Sequence, residues 1–136
     1  MEGLNKMKII TQKFISRSDL KNNPNTYYVF GDNWEGKGFG GQAKEMRGEP
    51  NAIGWVTKKK AAHTKDAFMI DIDMEQFAHS QANTIRAIES ALKKGRVVVF
   101  PEDGLGTGLA KLEGGAPACW RHLNQGVDYL FEKWKK

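Results

Sequence analysis

Two short polar clusters hold the residues whose types and spacing could do chemistry. Asp32 and Asn33 follow the apolar run Tyr27 to Phe30 and Gly31, and Glu102, Asp103 and Thr107 follow a second run, Arg96 to Phe100. A carboxylate so placed can take a proton from water or hold a sugar hydroxyl. An asparagine can both donate and accept at a ribose edge. The same side chains can instead cap a loop or the helix after it, and the sequence leaves both readings open. Since a carboxylate repels phosphate, a bound phosphate would fall to the backbone. Gly36, Gly38, Gly40 and Gly41 crowd the first loop, and Gly104, Gly106 and Gly108 the second. Glycine lets a backbone approach a ligand closely, and a helix N-terminus presents unpaired N–H groups to anions.

Other chemistries find little support. His63, His79 and His122 share no metal-ligand spacing with one another or with Cys119, so no metal site and no cofactor are expected. There is no Gly-x-Ser-x-Gly elbow. Cys119 falls within an amphipathic stretch, Ala118 to Trp134, and reads as a small core hydrophobe. The first loop lacks the Gly-Lys-Ser/Thr ending of a Walker loop, because Gln42 follows Gly41, and its glycine spacing departs from the dinucleotide fingerprint.

The elements that must position these loops are legible in outline. Met7 to Phe14, Tyr27 to Phe30, Pro50 to Thr57, Ala67 to Ile72 and Arg96 to Phe100 read as strands or turns into strands. Ser16 to Leu20 reads as a capped turn with Ser18 or Asp19 as cap. Gln42 to Met46 predicts a short helix stopped by Gly48 and Pro50, and Ser80 to Lys94 a long one with Ala82, Ile85, Ile88, Ala91 and Leu92 inward. Pro117 marks the start of a last helix, with a stripe of Trp120, Leu123, Val127, Leu130 and Trp134. The expectation is a single α/β domain over residues 1–136, with a mixed sheet and helices on both faces. Two glycine loops at the carboxyl ends of strands of one sheet are where such folds bind ligands.

Composition narrows the setting. The chain has 136 residues and one cysteine, with no apolar run of the length a membrane span needs. No apolar signal region opens it, and a reducing cytoplasm is expected. The net charge of +5 suits an anionic ligand. Nucleic-acid binding is possible but not favoured, because Lys58 to Lys60 and Lys133 to Lys136 form separate groups without interleaved aromatics.

Taken together, Tyr28 to Asn33, Gly38 to Ala43, Arg47 to Ala52 and Asp103 to Leu109 resemble the macrodomain family of ADP-ribose-binding modules, and more closely small macrodomain-like proteins of bacteriophages and bacteria. The resemblance covers roughly residues 7–130. It implies a three-layer α/β/α fold that binds ADP-ribose, or a macromolecule carrying it, between two loops. It puts Asn33 on the distal ribose, with Asp32 or Asp103 positioning or activating a water. Gly31, Gly38, Gly40, Gly41 and Gln42 fall in its first loop, and Gly104, Leu105, Gly106, Thr107, Gly108 and Leu109 in the loop that holds the diphosphate. The implied activity is hydrolysis at the distal ribose, by an ADP-ribosyl hydrolase or an ADP-ribose 1″-phosphate phosphatase. The alternative is a binder that sequesters an ADP-ribose-type signal without turnover. Three features depart from the family: Gly31-Asp32-Asn33 stands where it usually carries Asn-Ala-Ala-Asn, no Gly-Asp-Ile or Gly-Asp-Leu precedes Tyr27, and Ala110 stands where one hydrolase branch carries an aspartate.

Overall fold

Short runs of β-branched and aromatic residues make four strands. The computed structural model describes residues 8–62, 64–106 and 111–134. In it β1 (Ile9–Gln12), β2 (Tyr27–Asn33), β3 (Ala52–Lys58) and β4 (Val98–Pro101) form one sheet in the order β1-β4-β2-β3. All three pairings are parallel, with Ile9 opposite Val98, Tyr27 opposite Val98, and Tyr28 opposite Ala52. The mixed sheet expected from sequence is therefore corrected to a parallel one over the described residues. The reason is the connections: a helix separates every consecutive pair of strands, and such crossovers bring strands back parallel.

The helices are α1 (Arg17–Asn22), α2 (Ala43–Met46), α3 (Met74–Lys93), α4 (Leu112–Gly115) and α5 (Pro117–Trp134). Ser16 caps α1 in a reciprocal box with Asp19, in place of the Ser18 considered from sequence. Helix α3 starts six residues before the predicted Ser80 and buries Phe77, Gln81, Thr84, Ile88, Ala91 and Leu92, whereas Ala82 is exposed.

Side chains alternate along the strands, so successive residues enter different clusters. Val29, Val98 and Phe100 join Trp55, Ile88, Leu92, Leu123 and Leu130. Tyr28, Phe30 and Val99 join Leu20 of α1 with Ala43 and Met46 of α2. All four residues of β4 are buried, as a central parallel strand requires.

The strand expected at Ala67 to Ile72 does not form. Two 3-10 turns, Lys65–Ala67 and Asp71–Asp73, take its place. Ala67 and Met69 enter the core, while Ile70 and Ile72 are exposed. Carboxylates hold the segment out of any ladder: Asp73 accepts from the Ile70 N–H at 2.9 Å, and Asp71 accepts from the Ala118 N–H at 2.9 Å in the first turn of α5.

Candidate functional site

The strands β2 and β4 are neighbours, yet the helices that follow them belong to different clusters: α2 packs with Phe30, and α5 with Phe100. Loops leaving adjacent parallel strands in opposite directions open a crevice at the strands' carboxyl ends. A cavity of about 450 Å³ lies there. Gly31, Asp32, Asn33, Gly38, Gly40, Gly41 and Gln42 line it from the first loop, and Asp103, Gly104, Leu105 and Gly106 from the second. The structure thus brings both predicted loops to one space, of a size that suits a small organic ligand. Thr107, Gly108 and Leu109, also expected in the second loop, lie outside the described residues, as does His63.

The polar residues of the first loop are engaged with each other. Arg47 Nη2 donates to Asp32 Oδ1 at 2.6 Å, and Arg47 Nε donates to the Gly38 carbonyl at 2.6 Å. The guanidinium also lies 5.4 Å from the centre of the Phe30 ring. Both side chains of the ion pair are mostly buried, at 15% and 16% exposure. Asp32 Oδ1 also accepts from the Asn33 N–H at 2.8 Å, and the Asp32 side chain packs on Gly54, where an added Cβ would sit 2.5 Å from Oδ2. Asn33 is buried; its Nδ2 donates to the Lys37 carbonyl at 2.8 Å and its Oδ1 accepts from the Glu35 N–H at 3.0 Å. Both residues therefore brace the loop while lining the cavity.

Glycine is required at two points. Gly38 has φ +92° and its missing Cβ would fall 2.7 Å from Ala61 Cβ. Gly106 has φ +76° and lies against Leu112 and Leu123. At both, the cavity wall depends on a backbone that other residues adopt only with strain.

Several lining residues were not among the expected site residues. Lys13, Lys37, Arg47 and Lys58 contribute four cations against the carboxylates of Asp32 and Asp103, a surplus of two positive charges. Lys13 directly follows β1, and Lys58 ends β3. Applying the rule that ligands gather at carboxyl ends to all four strands, and not only to the two glycine loops, would have found both. Phe39, 63% exposed, is another. Arg47 belongs to a stretch whose other polar anchor is structural: Asn51 is buried, and its Nδ2 donates toward the Leu20, Asn23 and Thr26 carbonyls at 3.0, 3.0 and 2.8 Å.

Away from the cleft, Cys119 is fully buried, and burial, with Asp71 and Asp73 nearby, pushes its thiol up to about 11, so it is not a nucleophile at neutral pH. Among the described residues no group of three or more His, Cys, Asp or Glu side chains could hold a metal ion. No helix among them is long and apolar enough to cross a membrane.

No curated protein and no solved structure matches the chain. A family model does match, over residues 10–126, which span both glycine loops and nearly every element of the sheet. The chain belongs to that family, a family of unknown function (DUF7831).

Proposed function

We propose that the cleft binds ADP-ribose or a related nucleoside diphosphate, with the diphosphate held by the backbone amides of the two glycine loops. One observation carries this reading: both loops line a single cavity of about 450 Å³ in which cations outnumber carboxylates. Amides approach phosphate closely only where side chains are absent, and a net positive wall draws an anion in. The finer architecture that the resemblance implies, a three-layer macrodomain-like fold, is part of the same proposal. It is supported by the two apolar clusters that share the strands of the sheet.

Turnover is the second half of the proposal. In hydrolysis at the distal ribose, water attacks the anomeric carbon, its bond to the leaving group breaks, and a carboxylate takes the proton the water loses. Asp103 is the carboxylate proposed for that step. Asp32 and Asn33, held by Arg47 and by the loop, position the ribose side of the cleft. The alternative, a binder without turnover, is favoured by those same bonds, because they commit Asp32 and Asn33 to bracing the loop. Calorimetry with ADP-ribose, followed by mass spectrometry of the recovered ligand and of ADP-ribosylated protein, separates the readings. Binding with release of ADP-ribose from the protein supports the hydrolase, and binding with every ligand intact supports the binder. No heat with any nucleoside diphosphate refutes both.

A further inference from the structure

The two most exposed aromatic side chains among the described residues are Phe14, at 80%, and Phe39, at 63%. Both stand by the cationic cleft. Phe39 lines the cavity itself. Phe14 directly follows Lys13, which also lines it, and the Lys13 ammonium lies 5.8 Å from the centre of the Phe14 ring. Apolar side chains gathered in solvent on a soluble domain mark a contact surface. Anchored backbone holds both rings out. The Phe14 carbonyl accepts from Gln12 Nε2 at 2.7 Å, and the next residue, Ile15, is buried in the cluster with Leu20 of α1. Phe39 sits between Gly38, whose carbonyl accepts from Arg47 Nε at 2.6 Å, and Gly40, whose carbonyl accepts from the Ala43 N–H at 3.2 Å. A ring fixed beforehand loses little freedom when a ligand stacks on it.

The fold does not use the cations beside these rings for ion pairs. Among the described residues Lys13, Lys37 and Lys58 meet no carboxylate. The two lysines after Lys58 do: Lys59 meets Asp73 at 3.2 Å, and Lys60 meets Asp66 at 2.6 Å. Lys13 with Phe14, and Lys37 with Phe39 two residues on, thus repeat one combination, an uncommitted ammonium and an outward ring. The lysine groups of the sequence lack interleaved aromatics, but the fold supplies them at the cleft. Ammonium groups suit phosphodiesters, and an open aromatic face suits a base. An acidic peptide would use the lysines and leave the rings idle, and a duplex keeps its base faces stacked inside.

We propose that this surface binds single-stranded nucleic acid, with Lys13, Lys37 and Lys58 on its phosphates and Phe14 and Phe39 each stacked on a base. The proposal goes beyond the nucleotide reading of the cleft and does not depend on it, because the strand is held by side chains and not by the glycine-loop amides. DNA and RNA single strands share the phosphates and base faces it requires.

The test follows fluorescence anisotropy of labelled oligothymidylate and oligouridylate of about 12 nucleotides, within the site sizes of single-strand binders. Binding of either strand by native protein supports the proposal, and the tighter one identifies the source. Three phosphate contacts predict a slope of log affinity against log salt of about −2, at about −0.7 for each phosphate of a single strand. Lys37→Gln is expected to make that slope shallower by about 0.7. Phe14→Ala and Phe39→Ala are each expected to weaken the strand about tenfold, as loss of a stacking platform does. A duplex of the same length and polyglutamate are expected to bind at least about tenfold more weakly than the better strand, since neither offers a base face. Native affinity in both phenylalanine variants overturns the proposal, as does polyglutamate or duplex bound as tightly as the strand, or native protein that binds neither strand at low salt. If the phenylalanine variants melt early, Lys37→Gln decides, and an unchanged slope there overturns it. Titration of native protein with ADP-ribose reads the nucleotide proposal separately, so either can fail without the other.

Discussion

Replacing Asp32 by asparagine removes the charge that Arg47 faces while keeping the shape of the side chain. The guanidinium is 15% exposed and is held at 2.6 Å by Asp32 and at 2.6 Å by the Gly38 carbonyl. Removing one partner of a fully buried pair costs about 3–5 kcal/mol. Residual exposure lowers this toward the value of a charged hydrogen bond, so about 3 kcal/mol is expected for Asp32→Asn. For a domain of this size that corresponds to a fall in melting temperature of roughly 10 °C. Thermal unfolding followed by circular dichroism measures it, together with Arg47→Met and the double variant. The double variant is expected to lose about 1–3 kcal/mol less than the sum of the single losses, because the pair can be broken only once. The bond to Gly38 and the contact with Phe30 do not involve Asp32, so they drop out of this difference. Strict additivity, or an Asp32→Asn melting temperature within about 2 °C of native, would refute the idea that this pair braces the first loop.

Other outcomes follow from the same geometry. Gly54→Ala inserts a Cβ 2.5 Å from Asp32 Oδ2 and 3.0 Å from Asp32 Cβ, and is expected to cost about 1–3 kcal/mol and to weaken ADP-ribose binding together with stability. Asp103→Asn is expected to leave ADP-ribose affinity within about threefold of native while lowering any turnover by about 100-fold or more, as loss of a general base does; equal turnover in a single-turnover assay removes Asp103 from the chemistry. Glu89 joins α3 to α5, accepting from Tyr129 Oη at 3.0 Å and Trp134 Nε1 at 2.9 Å, with Lys133 Nζ at 3.2 Å. Burial alone would raise its pKa, but these bonds outweigh burial and hold it below the usual 4.5. A depressed carboxylate contributes stability above its unfolded pKa and loses it as pH falls through the folded one. Acid unfolding of native protein below about pH 4.5 should therefore be steeper than that of Glu89→Gln, and superimposable curves count against the link. Cys119 should resist iodoacetamide at pH 7.5 in native protein and react fully in denaturant; rapid native alkylation would contradict its burial.

Much of this arrangement can be read in the sequence, for identifiable reasons. The run Tyr27 to Phe30 announces itself as an unbroken aromatic and β-branched stretch, and the stripe of α5 because a period of 3.6 dominates it. The two loops are legible because glycine clusters are local. Asp32 and Asn33 are legible as ligand or loop-capping residues, but their partners, Arg47 and Lys37, are not, being fixed only by the turn between them. The run Ala67 to Ile72 misleads because its large apolar and β-branched residues imitate a strand, while Asp71 and the following Asp73 satisfy backbone groups at Ala118 and Ile70. Lys13 and Lys58 carry no motif and become visible only when parallel pairing brings every strand's carboxyl end to one rim.

The most direct test of the two-loop grip is a titration of isotopically labelled protein with ADP-ribose, followed by backbone amide resonances. The expected result is that the amides of Gly38 to Gln42 and of Gly104 to Gly106 move together and fit one dissociation constant. Shifts confined to one loop, two unrelated constants, or no shift at millimolar ligand would contradict the claim that both loops hold one diphosphate.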